Sequence, residues 1–213
     1  MQVGIIGGTG PAGRGLAIRA ALAGHDVRLG SRDAERAASV AASLLGDHDY
    51  VLHGCANEEA ALAELVVVAT PWDAVVATVR PLAAALDGKV VISMANALAK
   101  QGRELLALLP PRGSMAGQLQ AAIPTARVTG ALHHLPASKM EDVGSGLRAD
   151  VLVCGDDPDA REVTCRFVDS IDGLRAVEVG SLAQAGAIEA FTAVFATINV
   201  RHKVHSTLLL GGI

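Results

Sequence analysis

The chain has 213 residues, of which 51% are hydrophobic and 2% are aromatic, and its formal net charge at pH 7 is −4. This length suits one sizeable domain, or a larger domain with a small second one, and the apolar content is ample for a core. An acidic chain with few aromatic rings offers neither a cationic surface nor stacking platforms, so we expect no nucleic-acid partner.

The cysteines and the apolar stretches indicate the cellular compartment of the protein. Cys55, Cys154 and Cys165 form no CxxC pair, and scattered thiols favour a reducing compartment over a disulfide framework. Residues 2–6 already predict a buried strand, which leaves no room for a signal peptide. The apolar stretches are interrupted well short of the roughly 20 residues that a membrane helix needs. We therefore expect a soluble cytoplasmic protein without a membrane partner.

The first two-thirds of the chain alternate short apolar runs with alanine-rich helical segments. The runs predict strands at 2–7, 26–31, 50–55, 65–70, 89–94 and 127–134. The segments between them predict helices at 12–25, 33–45, 57–64 and 72–86. The strands are continuous runs of Val, Ile and Leu, which indicates burial on both faces, as in a parallel sheet covered by helices. This order predicts a doubly wound α/β fold with a mostly parallel sheet.

The last third of the chain has a different pattern. Predicted strands at 151–157 and 174–180 flank a helix at 158–171, and a long apolar helix follows from Leu182. Ser181 and Gln184 fit a capping box at its start. Apolar side chains recur along it at helical spacing, namely Ile188, Phe191, Phe195 and Ile198. We expect a domain over residues 1–138 and a smaller C-terminal α+β domain over residues 139–213.

A glycine-rich turn, GGTGPAGRG, follows the first strand and opens the first helix. The glycines satisfy G-x-G-x-x-G, a pattern that is weak alone but stronger at the start of a βαβ unit. Gly8 would permit the tight turn, Gly10 would let the backbone approach a pyrophosphate, and Gly13 would let helix and strand pack closely. The alternative is a glycine-rich turn without a ligand. We predict a dinucleotide site, held by Gly8, Thr9, Gly10, Pro11, Ala12 and Gly13.

The second strand ends at Ser31 and Arg32, where a site for NAD usually carries an acid. A hydroxyl and a guanidinium suit the 2′-phosphate of NADP instead, through charge-assisted hydrogen bonds. Arg36 lies one helical turn further on and is a third candidate. The alternative for Arg36 is pairing with Asp33 or Glu35 on a solvated helix face. The sequence therefore predicts NADP as the cofactor.

Further lining candidates follow the fourth and fifth strands, namely Thr70, Pro71, Trp72, Met94, Ala95 and Asn96. The carboxyl ends of parallel strands are where this class of sheet binds ligands. Trp72 is the sole tryptophan, and it either walls the nicotinamide side of the site or packs in the core.

The run GGTGPAGRGLAIRAALAGHDVRLGSR resembles the F420H2:NADP oxidoreductases, also called NADPH-dependent coenzyme F420 reductases. The resemblance extends over nearly the whole chain and includes VVVATPWDAV (66–75), ALHHLPA (131–137), VCGDD (153–157) and IDGLRAVEVGSLAQAGAIEAFT (171–192). It implies a homodimer with a Rossmann-type domain and a smaller C-terminal domain. It also implies hydride exchange between NADP(H) and the 5-deazaflavin coenzyme F420.

The resemblance carries over to individual positions. The NADP contacts of the family match Thr9, Ser31, Arg32 and Arg36. The segment beside the deazaflavin ring matches His133, Leu135, Pro136 and Ala137. The C-terminal INVRHKVHSTLLLGGI matches less well than the centre of the chain. Hydride transfer between two bound ring systems needs no nucleophile, so we expect no catalytic side chain.

The histidines do not predict a metal site. His133 and His134 are neighbours in a predicted strand and would point to opposite faces, so they are unsuited to chelating one metal. His202 and His205 share a helical face, but no carboxylate or thiol lies near them in sequence. The basic cluster RHKVH (201–205) either complements the end of a helix or receives the phosphate and glutamate tail of the deazaflavin.

Two other functions stay open on the sequence alone. One is an NADPH-dependent reductase of a small imine or carbonyl substrate. Such a reduction usually needs a proton donor, and the sequence places no clear donor beside the cleft. The other is a non-enzymatic NADP-binding sensor, which would leave the HHLPA segment and the second domain without a role.

Overall fold

The computed structural model describes residues 1–45, 50–144 and 146–213. Its strands, in chain order, are β1 (Gln2–Ile6), β2 (Asp26–Ser31), β3 (Leu52–Ala56), β4 (Leu65–Val68), β5 (Val90–Ser93), β6 (Leu98–Gln101), β7 (Glu104–Ala107), β8 (Arg127–Gly130), β9 (Ala149–Gly155) and β10 (Leu174–Glu178). Its α-helices are α1 (Pro11–Leu22), α2 (Ala34–Leu45), α3 (Asn57–Ala60), α4 (Val75–Val79), α5 (Met115–Ala122), α6 (Ala137–Glu141), α7 (Pro158–Ser170) and α8 (Ala185–His202).

Eight strands form one sheet in the order β10-β9-β8-β5-β4-β1-β2-β3, and β6 and β7 form a separate hairpin. From β3 to β8 all neighbours are parallel, whereas β9 runs antiparallel to β8. The chain winds outward from β1 to β3 and then restarts at β4 on the other side of β1. This reversal confirms the doubly wound fold and places a crevice between the carboxyl ends of β1 and β4.

The sheet is covered on both faces, as the unbroken apolar runs predict. Alternate side chains of the central strands enter two apolar layers. Ile5 and Val67 pack in the layer that contains α1 and α7, with the fully buried Phe167. Ile6 and Val68 pack in the layer that contains α4, α5 and the start of α8. A two-sided core of this kind holds the strand ends rigidly at the crevice.

The sheet extends across the boundary predicted at residues 138 and 139, because β9 and β10 join it beside β8. The division into two domains stays a prediction about folding units. The C-terminal tail is held to this part of the sheet by Arg175, which donates from Nε and Nη2 to the two carboxylate oxygens of Asp150 at 2.7 Å. Arg175 also donates to the Ile213 carbonyl at 2.8 Å. These hydrogen bonds hold the pKa of Asp150 below its ordinary value.

Two predicted elements are shorter than expected, one because of a proline and the other because of a residue with left-handed backbone dihedrals. The helix predicted over 72–86 is broken into a 3-10 turn at Trp72–Ala74, the short α4, and a second 3-10 turn at Arg80–Leu82. Pro81 lacks the N–H group that a continuous helix needs at this point. The strand predicted over 127–134 ends at Gly130, because Leu132 adopts φ of 66°. The two histidines are therefore in a turn and not in a strand, so the strand alternation from which opposite faces were expected does not apply to them.

The last helix is anchored by a buried carboxylate. The capping box predicted at Ser181 is wrong, because its side chain makes no cap bond and a 3-10 turn precedes α8. Glu189 instead accepts hydrogen bonds from the N–H groups of Met115 at 2.6 Å and Ala116 at 3.0 Å. This carboxylate satisfies the start of α5. Burial raises the pKa of Glu189 to about 7, although the two N–H groups oppose the shift.

The outer face of α8 stays apolar, with Phe191, Val194 and Ile198 exposed. No helix in the described ranges combines the length and the apolar character that crossing a membrane requires.

Candidate cofactor-binding site

A cleft of about 560 Å³ lies at the crevice between β1 and β4. Its walls come from the turn after β1, the end of β2 and the segments that follow β4 and β5. Most of the predicted site residues line it, namely Thr9, Gly10, Pro11, Ala12, Ser31, Arg32, Arg36, Thr70, Pro71, Trp72, Met94 and Ala95. The structure thus gathers side chains from four separate parts of the sequence around one space.

The glycine turn is shaped by backbone packing. Gly7 has φ of +70°, and a Cβ there would lie 2.4 Å from Thr70 Cγ2. The left-handed residue of the turn is therefore Gly7 and not Gly8, whose N–H donates to the Gly30 carbonyl at 2.8 Å. A Cβ at Gly13 would lie 2.5 Å from the Gly8 oxygen, so Gly13 permits the close packing that the motif predicts.

The start of α1 presents free donors to the cleft. The helix begins at Pro11 with no side-chain cap and no acidic residue in its first turn. Apart from Gly10 itself and its neighbours along the chain, no described atom lies within 4 Å of the position that a Cβ on Gly10 would take. Uncapped N–H groups beside open space form a site that an anion such as a pyrophosphate fits.

Asn57 is a cleft residue that the sequence reading missed. It is buried at the start of α3, lines the cleft, and accepts a hydrogen bond from the Gly7 N–H through Oδ1 at 3.0 Å. It therefore fixes the first peptide of the glycine turn from a neighbouring strand end. Asn57 directly follows β3, at the carboxyl edge of the sheet where the other cleft residues lie, and this position could have predicted it from the sequence.

The end of β2 places a hydroxyl and two cations at one end of the cleft. Ser31 is buried, and its Oγ accepts from the Asp33 N–H at 3.2 Å. Arg32 and Arg36 are exposed, and neither forms a salt bridge with an acidic side chain among the described residues. Asp33 instead accepts from the Arg36 backbone N–H at 3.0 Å. Both guanidinium groups are thus available for a phosphate.

The opposite end of the cleft has buried polar atoms without partners. Thr70 Oγ1 and Asn96 Oδ1 are both buried and make no hydrogen bond within the described part of the chain. Both residues line the cleft. Buried polar atoms normally have partners, so this end fits a ligand that carries its own donors, such as the amide of a nicotinamide. Trp72 is 39% exposed at the mouth, so the alternative of a core tryptophan was wrong.

The two histidines lie behind this end and are not in the cleft lining. Asn96 Nδ2 donates to the His133 carbonyl at 2.9 Å, which ties the histidine segment to the end of β5. His134 stacks on Phe195 of α8, with ring centroids 5.6 Å apart. Burial lowers the pKa of His133 to about 3 and that of His134 to about 4. Both rings are therefore neutral at pH 7.

The remaining predicted residues follow the histidines. Leu135, Pro136 and Ala137 are half-buried and lead into α6, which packs against α1. Ser138 in α6 lies within hydrogen-bond distance of His205, with Oγ and Nδ1 3.0 Å apart. Within the basic cluster 201–205, Arg201 and His202 form the end of α8, and Arg201 forms a salt bridge with Glu104.

The fold and the cleft together define a Rossmann-type dinucleotide-binding protein. Residues 2–97 match the family described as NADP oxidoreductase, coenzyme F420-dependent. The chain is 32% identical to the F420-dependent NADP reductase of Methanocaldococcus jannaschii, over 97% of this chain and 96% of that protein. Its identity to the F420-dependent NADP reductase of Methanothermobacter thermautotrophicus is 34%, over 97% and 92%. The chain belongs to this family of F420-dependent NADP reductases.

A solved structure shares the whole fold. It is a putative F420-dependent NADP reductase from an Arthrobacter species, with a TM-score of 0.83 and 27% identity over 97% of both chains. The likeness includes the C-terminal third, to which the family model does not extend.

The buried histidines predict a pH dependence of stability. Unfolded histidine takes up a proton near pH 6.5, whereas His133 and His134 resist protonation while folded. The two rings should therefore lower the free energy of unfolding as the pH drops from 6.5 toward 4, by up to about 1.4 kcal/mol per pH unit each. The raised pKa of Glu189 acts in the opposite sense and offsets about one ring, so the net change is still a fall. Denaturant unfolding at pH 7 and pH 5 measures the decline. Imidazole NMR signals of His133 and His134 that titrate near pH 6.5 would contradict it.

Proposed function

We propose that the cleft holds NADP(H) and that the segment 133–137 faces the deazaflavin. The chain is an oxidoreductase that exchanges a hydride between NADP(H) and coenzyme F420, the reaction of its family. The cleft itself supports this assignment, because free N–H groups, two cations and unpartnered polar atoms follow one another along the path of a dinucleotide.

Each part of the cleft has a separate task in this proposal. The N–H groups at the start of α1 bind the pyrophosphate, and Ser31 with Arg32 and Arg36 binds the 2′-phosphate. Thr70 and Asn96 orient the nicotinamide through its amide. When bound, the nicotinamide supplies the hydride and the deazaflavin accepts it. The chain aligns the two rings and excludes water, for which neutral buried histidines and apolar neighbours are suited.

The reductase of a small imine or carbonyl is disfavoured by the lining of the cleft. Among the described residues that form it there is no carboxylic acid, His, Lys, Tyr or Cys. Such a substrate needs a proton donor beside the reacting carbon. Reduction of the deazaflavin by NADPH also takes up one proton, but at a ring nitrogen that solvent can protonate, so no side-chain donor beside the reacting carbon is needed.

The reaction is tested directly by absorbance at 420 nm. Oxidised coenzyme F420 mixed with the protein and NADPH should lose this absorbance, and NADP added to reduced F420 should restore it. Heat-denatured protein is the control. Ready oxidation of NADPH by a small imine or carbonyl, with none by oxidised F420, would refute the proposed function.

The preference for NADP over NAD should depend on Arg32. Charge-assisted hydrogen bonds to the 2′-phosphate are worth about 1.5–3 kcal/mol each, so we expect a preference of roughly tenfold to a thousandfold. Arg32→Ala should weaken NADP binding and leave NAD binding nearly unchanged. Dissociation constants for both nucleotides measure this. Arg80→Ala, which removes an exposed arginine outside the cleft lining, is the matched control. Equal affinities in the unmodified protein would refute this site for the phosphate.

We further propose that the protein is a homodimer that uses the outer face of α8. Phe191 and Val194 are 44% and 49% exposed there, and adjoining apolar side chains extend the patch. Sedimentation at micromolar concentration should give about twice the 21.7 kDa of one chain. Phe191→Asp should produce the monomer, whereas Leu62→Asp on another exposed surface should not. A single 21.7 kDa species in the unmodified protein would exclude the dimer.

A cytoplasmic location completes the proposal. It is supported by Cys55, Cys154 and Cys165, all of which are free thiols.

A further inference from the structure

Arg19 in the last turns of α1 holds the end of α6. Its guanidinium donates from Nε to the Met140 carbonyl at 2.8 Å, and from Nη2 to the carbonyls of Lys139 at 2.8 Å and Asp142 at 3.0 Å. Arg19 is 7% exposed. The last carbonyls of a helix have no partner within the helix, so this buried fork satisfies three acceptors at once.

The two helices also touch at Gly15, one turn before Arg19 on the same face of α1. A Cβ at Gly15 would lie 2.5 Å from Met140 Cβ and 3.0 Å from the Glu141 nitrogen. The backbone of α6 therefore approaches α1 as closely as the absence of a side chain at Gly15 allows. Contacts at two successive turns of α1 determine both the distance and the direction of α6.

The segment 133–136, which directly precedes α6, is therefore held at both ends. At its front, Asn96 holds the His133 carbonyl. At its back, Leu135 and Pro136 run directly into α6, which Arg19 holds. A helix of five residues is not stable alone, so its position depends on such tertiary contacts. The opposite end of α1 carries the glycine turn, and one rigid helix thus connects the two regions.

We propose that Arg19 is a positioning residue for hydride transfer, which places Leu135 and Pro136 at a set distance from the dinucleotide held at the start of α1. This inference rests on the proposed function, in which those two residues face the deazaflavin. We assign Arg19 no contact with either cofactor, because it is outside the dinucleotide cleft and its buried guanidinium is occupied by the carbonyls at the end of α6. Loss of its hydrogen bonds shifts α6 and disturbs binding of the second cofactor more than that of the first.

Two substitutions test this role. Arg19→Met keeps an unbranched apolar stem and removes every donor, and Arg19→Lys keeps the charge but loses the planar fork. We expect Arg19→Met to raise both the dissociation constant of oxidised F420, measured by fluorescence titration, and its KM on the order of tenfold. Arg19→Lys should give a smaller rise. The dissociation constant of NADP should change by less than about twofold in both, since the glycine turn is intact.

Arg14→Met is the matched control, because it breaks a partly exposed salt bridge to Glu141, whose two side chains are 35% and 34% exposed, between the same two helices. Exposed pairs contribute little, so F420 binding should stay within about twofold of the unmodified protein. Normal F420 binding and KM in the Arg19 variants, even with a lowered melting temperature, would overturn the positioning role. If Arg19→Met does not fold, F420 binding and KM of Arg19→Lys decide in the same way. An unmodified protein that neither binds nor reduces F420 would overturn the proposed function, and this inference with it.

Discussion

The cleft depends on the close approach of backbone to backbone where β1 enters α1. Gly7 lies against Thr70 of the next strand end, and Gly13 lies against the oxygen of Gly8. Any side chain at these positions would push the helix away from the sheet or the turn away from β4. Because the approach is so close, the first N–H groups of α1 open onto the gap between β1 and β4 and not onto packed protein. A binding site for an anion is therefore a consequence of how tightly the sheet and the helix pack.

A second principle organises the segments around the cleft. Buried polar side chains of one element satisfy backbone groups that another element leaves unpaired. Asn57 accepts from the N–H of Gly7, Asn96 donates to the carbonyl of His133, and Glu189 accepts from the start of α5. An unpaired buried peptide group is costly, so each of these bonds fixes a loop or helix end that apolar contacts alone would leave free to slide. The carboxyl edge of the sheet is thus held by directional bonds.

The sequence predicted the elements that bury continuous apolar runs. The range of β2 was predicted without error, and α7 was predicted to within one residue, because Asp157 caps its start and its apolar face repeats regularly. The hairpin of β6 and β7 was missed because its strands are short, largely exposed and polar at the turn. The short α6 was missed because five residues show no periodicity and because its position comes from Gly15 and Arg19. The positions predicted from the carboxyl ends of the strands include most of the residues that line the cleft. Arg19 and Asn57 escaped detection because their function depends on partners distant in sequence.

The electrostatics of the cleft divide it into a charged end and a dry end. Arg32 and Arg36 are exposed, so in the proposed complex their attraction for the 2′-phosphate is screened by salt and serves mainly to select the nucleotide. Behind the other end, burial keeps His133 and His134 neutral, and Phe195 of α8 stacks on His134. In the proposed complex, a charged imidazole near the transferred hydride would stabilise one enzyme-bound redox state over the other. Neutral rings avoid this effect on the bound states, whereas the net direction of transfer is set by the potentials and concentrations of the two cofactors.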